Sequence, residues 1–138
     1  NRKMLIRDRA PFRKLYLETN DKAIYTAIKN FFLVVSSDFW PHASNKSYIK
    51  KTVGIQALFD VLCFLMKNFE QERKVSIDYF KMNLSKAKDV DFSDVFFQAS
   101  GIGKTRIKNI ILFAADLKDQ SDLPPDDLKD YKRLAKNE

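Results

Sequence analysis

Six residues near the middle of the second half carry the most pointed chemistry in this chain: Gly101, Gly103, Lys104, Thr105, Arg106 and Lys108. Two glycines separated by one residue let a backbone turn sharply and approach an anion closely. Lys104, Thr105 and Arg106 then open a predicted helix, and the free N–H groups of a helix start favour negative charge. Residues 104–108 hold three cations and no acid. The set can contact a phosphate without catalysing anything: the cations bring charge and the glycines bring access. It equally fits a tight turn between helices with a solvated basic face.

Two known loops resemble this stretch. The words Gly101-Ile102-Gly103-Lys104-Thr105 look like the end of a phosphate-binding loop. That loop needs a glycine five positions before Gly103, where this chain has Gln98. A nucleotide-hydrolysing enzyme built on Lys104 and Thr105 is therefore the weakest expectation. A Gly-x-Gly turn followed by cations at a helix start is closer to the hairpin of helix-hairpin-helix DNA-binding motifs. The expected catalytic, cofactor-binding and metal-binding sets are empty.

Other chemistry is bounded by scarcity. Cys63 is the only cysteine and His42 the only histidine. No internal disulfide and no Cys/His zinc site can be built. A serine triad would have to use His42, which follows Pro41 in a polar loop and reads as a surface histidine. Cys63 sits in an apolar run and reads as a small core hydrophobe. Asp60 reads as the polar flank of an apolar stripe. Trp40, Phe96 and Phe97 read as core.

The elements that must position these residues are helical. The 138 residues suit one domain, and only three glycines and four prolines leave little for tight turns. The expectation is an all-α, single compact domain of about five or six helices over residues 20–138. Ile24, Ala27, Ile28, Phe31, Phe32 and Val35 follow the period of one helical face. That helix spans 21–37 and ends before Trp40-Pro41, since a residue before proline is pushed to extended backbone. A wide apolar stripe predicts a second helix over 52–71 at the centre of the core. Ser76 caps a third, residues 94–98 are ambiguous between a strand and a helical turn, and a fourth strong helix runs over 103–117. Pro124-Pro125 starts the last, with Asp126 and Asp127 beside its positive end.

Residues 1–15 hold Arg2, Lys3, Arg7, Arg9, Arg13 and Lys14 against Asp8. We expect 1–19 to be a basic arm or linker from a missing upstream domain of a larger protein. The net charge of +7 admits an anionic partner. The longest apolar runs, 61–66 and 110–115, are too short to span a bilayer, and no signal peptide is apparent. A cytoplasmic protein is expected, with duplex DNA, the upstream domain or a second copy of the chain as partners.

Two stretches carry a family resemblance. One runs from Ile24-Tyr25 through Asn30-Phe31-Phe32 to Asp38-Phe39-Trp40. The other is Tyr48-Ile49 with Lys51-Thr52-Val53-Gly54-Ile55-Gln56-Ala57-Leu58. With the turn at 100–104, they resemble the C-terminal half of DGQHR-domain proteins, the bacterial group that includes DndB-like proteins of DNA sulfur modification. The resemblance covers about residues 21–112. The Asp-Gly-Gln-His-Arg signature itself is absent and belongs to the N-terminal half of that family. The resemblance implies a non-catalytic, DNA-associated role in DNA modification, its regulation or phage defence. It also marks Gly54, Gly101 and Gly103 as residues of backbone geometry. The alternative is a structural or oligomerisation module that completes an upstream domain.

Overall fold

Apolar residues recurring every three or four positions wind five α-helices in the computed structural model, which describes residues 21–68, 75–98 and 101–136. They are α1 (Asp21–Val34), α2 (Thr52–Asn68), α3 (Ile77–Leu84), α4 (Gly103–Ala114) and α5 (Leu128–Ala135). No strand occurs among the described residues, and the fold is all-α. None of these helices is long and apolar enough to cross a membrane. The expected basic arm lies outside the described residues.

One core joins all five helices. Phe31 of α1 meets Phe80 of α3 edge-to-face, with ring centroids 5.5 Å apart. Asn30 ties the same pair together, its Nδ2 donating to the Val75 carbonyl at 2.7 Å. Ser76 caps α3 as its sequence position suggests, its hydroxyl accepting from the Tyr79 N–H at 3.1 Å. α4 packs most extensively on α2. It is also the most enclosed helix: Ile107 and every residue from Asn109 to Ala114 are buried. The wide stripe of α2 pointed to that helix as the centre, but α4 occupies it. The polar Asn109 survives there because Lys118 Nζ donates to its Oδ1 and its Nδ2 donates to the Tyr131 hydroxyl, each at 3.3 Å.

Two expected boundaries shift. α1 does not stop before Pro41. It widens into a π turn at Val35–Phe39 and tightens into a 3₁₀ turn at Trp40–His42. Trp40 keeps helical backbone despite the following proline (φ −66°, ψ −36°), and Pro41 falls in the first turn of the new segment, where its missing N–H leaves nothing unmet. α4 ends at Ala114 rather than 117 because Asp116 turns left-handed at φ 64°, and the Leu117 N–H bonds back to the Leu112 carbonyl at 2.8 Å. Residues 94–98, open in sequence between a strand and a helical turn, hold a 3₁₀ turn at Val95–Gln98. Pro124 and Pro125 do open the last element, through a 3₁₀ turn at Pro125–Asp127 that runs into α5.

Phe96, Phe97 and Trp40 all pack on the core, Trp40 only half-buried. Cys63 is also half-buried, and that burial raises its thiol pKa.

Candidate nucleic-acid interface

Two glycines set the shape of this surface by letting backbones touch. A Cβ on Gly54 in α2 would sit 2.1 Å from the Tyr48 carbonyl oxygen. The bare residue therefore lets the 3₁₀ turn Tyr48–Lys50 lie directly on the helix. A Cβ on Gly103 would sit 2.8 Å from the Phe97 carbonyl oxygen, so the start of α4 is pressed against the turn Val95–Gln98. Gly101 is different. Its surroundings are open, and it is needed for its left-handed φ of +83°.

These approaches leave a cleft of about 380 Å³ between the two turns and the two helices. Tyr48, Gln56, Gln98, Gly101, Gly103 and Lys104 line it. The start of α4 opens beside it. Ile102 stands at the cap position and makes no side-chain capping hydrogen bond. The helix ladder begins with the Arg106 N–H on the Ile102 carbonyl at 3.0 Å. The N–H groups before it have no helical acceptor, and the helix dipole adds partial positive charge there.

The expected site residues divide into two groups. Lys104 and Lys108 are four residues apart, so they share one face of α4. Lys104 is exposed, and its Nζ lies 3.8 Å from Asp60 Oδ2 of α2, too long for a hydrogen bond and solvated on both sides. Asp60 is thus on the polar flank of α2. Thr105 is exposed. Lys108 is half-buried and close enough to Lys118 that, after burial itself, its charge helps lower the Lys118 pKa. The ladder of α4 therefore presents a cationic face that runs on to Lys118.

Arg106 belongs elsewhere. A step of two residues carries it about 200° around the helix, away from Lys104. Its Nη1 donates to the Phe96 carbonyl at 3.0 Å and its Nη2 to Asp127 Oδ1 at 3.2 Å. The guanidinium carbon lies 4.2 Å from the Phe96 ring centroid. Only 18% of the side chain is exposed. Arg106 ties the turn Val95–Gln98 to the approach of α5, and Arg133 does the same from α5 by clasping Asp94 at 2.9 and 3.2 Å.

Tyr48, Lys51, Gln56 and Gln98 were not singled out as site residues. Lys51 Nζ stands 4.6 Å from the Tyr48 ring centroid. The adjacent pair Lys50-Lys51 beside an aromatic residue was the available signal, and both lysines are exposed.

No other described group competes as a chemical centre. The described residues hold no cluster of three or more His, Cys, Asp or Glu side chains placed for a metal ion. The position where a nucleotide-binding loop needs its first glycine is Gln98, in a 3₁₀ turn. His42 is exposed and lines a second cavity of about 400 Å³, with Ser44, Lys88, Asp89 and Asp91. There Asp91 is already engaged by the Ser93 N–H and hydroxyl. Against known proteins, no family model, no curated protein and no solved structure matches this chain.

Proposed function

We propose that the chain is a DNA-associated helical module that contacts phosphates without catalysis. The start of α4 is the contact point. Its first N–H groups, which precede the helix ladder, receive a phosphate oxygen, while Lys104 and Thr105 flank it and Lys108 extends the charge along the helix. Lys50 and Lys51 supply further cations near the cleft. The carrying observation is the start of α4, where Ile102 supplies no side-chain cap, beside an exposed, weakly paired Lys104. Arg106 supports this surface from behind through Phe96 and Asp127. The resemblance to DGQHR and DndB-like proteins adds a setting to the proposal: a bacterial cytoplasmic protein of DNA modification, its regulation or phage defence.

The test is fluorescence anisotropy of a labelled duplex at low and moderate salt, with Lys104→Glu/Lys108→Glu alongside. Binding that weakens with salt and is lost in the variant supports the proposal. No binding at low salt refutes it.

One observation favours a second proposal, a structural or oligomerisation module. Tyr25 and Phe32 lie seven residues apart on one face of α1, Tyr25 is 64% exposed, and Phe32 meets the exposed Phe59 of α2 at a tilt, with ring centroids 5.0 Å apart. A dimer in light scattering that is indifferent to DNA would favour that role.

A further inference from the structure

The cleft beside α4 has the furniture of a small-ligand site. Its volume of about 380 Å³ lies in the range of such pockets. Tyr48 offers an aromatic ring on a backbone held firmly in place. Its N–H donates to the Phe92 carbonyl at 2.9 Å, and its carbonyl accepts from the Lys51 N–H at 3.2 Å. Gln56 of α2 and Gln98 of the 3₁₀ turn contribute exposed amides that make no hydrogen bond to any described residue. An amide carries a donor and an acceptor side by side, which is the pattern a base edge presents.

We infer that this cleft takes one unstacked DNA base, laid on Tyr48 and met at its edge by Gln56 and Gln98, while its phosphate sits at the start of α4. The inference rests on the phosphate contact proposed above. Lys51 holds its ammonium 4.6 Å from the centroid of that ring without lining the cleft itself. A base gains from stacking on such a ring, and Lys51 beside it supplies a cation for the backbone. A base inside a duplex is stacked on its neighbours and cannot reach the ring. The module therefore favours single strands, bulges and frayed ends over intact duplex.

The experiment uses the full chain at one ionic strength. Labelled single-stranded DNA, an intact duplex of equal length and a duplex with a one-nucleotide bulge are titrated in parallel, with thymidine monophosphate as competitor. The single strand and the bulge should bind about tenfold tighter than the duplex, within the range expected for one stacked base. Tyr48→Leu and Gln56→Ala/Gln98→Ala should each bring strand and bulge down to the affinity of the duplex measured in the same variant. The glutamine pair is exposed, so that variant carries the test should the Tyr48 variant fold poorly. Equal affinity for strand and duplex overturns the base site alone and leaves the phosphate contact standing. So does a preference that survives both variants. Displacement by thymidine monophosphate at the concentration that saturates the strand overturns the DNA base as occupant and assigns the cleft to free nucleotides. Failure of every DNA form to bind removes the phosphate contact and the base site together.

Discussion

The Arg106 guanidinium lies over the ring of Phe96 at 4.2 Å and donates to the carbonyl of that same residue at 3.0 Å. One side chain thereby fixes both the ring and the backbone of the turn that precedes α4, and its second arm reaches Asp127. One of the three cations expected to meet a phosphate is thereby committed to the fold.

Arg106→Ala should therefore lower stability rather than DNA affinity. It leaves the Phe96 carbonyl and Asp127 without their charged donor, a loss of about 2 kcal/mol for hydrogen bonds to a charged group. Urea denaturation should show a lower midpoint with an unchanged slope. A midpoint equal to that of the parent chain would mean the clamp contributes nothing.

Gly54→Ala reverses the usual order of helix propensity. Alanine is normally better than glycine inside a helix by about 1 kcal/mol. Here its methyl would meet the Tyr48 carbonyl oxygen at 2.1 Å, and backbone has to move. Overpacking of this kind costs about 1–3 kcal/mol or more. Thermal melts should place Gly54→Ala well below the parent chain. An unchanged or raised Tm would show that the turn Tyr48–Lys50 does not sit where the structure has it.

Asp94 gives the chain a defined acid limb. The hydrogen bonds from Arg133 hold its carboxyl below the usual carboxylate range against a smaller opposing effect of burial, and the Phe96 N–H helps. A carboxylate with a lowered folded pKa contributes stability above its unfolded pKa and loses it as pH falls through the folded value. The contribution is thus present at neutral pH and fades below about pH 4. It is small, because half of the Arg133 side chain is solvated. Asp94→Asn should flatten the fall in urea midpoint on acidification while keeping the cap on the Phe96 N–H. An identical acid limb in parent and variant would contradict the assignment.

Much of the scaffold was legible because helices advertise themselves locally. Ala27, Phe31 and Val35 reveal their buried face by spacing alone, and Ser76 reveals its cap. Boundaries were harder where a single residue breaks a local rule, as Trp40 does before Pro41 and Asp116 does by turning left-handed. The site was half legible. Lys104 and Lys108 follow from helical spacing. The diversion of Arg106 was implicit in its two-residue offset, but its partners Phe96 and Asp127 lie ten and twenty-one positions away. The cleft was out of reach of local patterns, since Tyr48 and Gln98 face one space only because Gly54 and Gly103 let distant backbones touch.

The most direct test of the central claim is the salt dependence of duplex binding in three chains: the parent, Lys104→Glu/Lys108→Glu and Arg106→Gln. The slope of log K against log salt reports how many phosphates are neutralised, at about one unit for each cation lost. The account predicts a slope shallower by about two in the double lysine variant and unchanged in Arg106→Gln. A slope that falls in the arginine variant and holds in the lysine variant would contradict it and return the phosphate contact to Arg106.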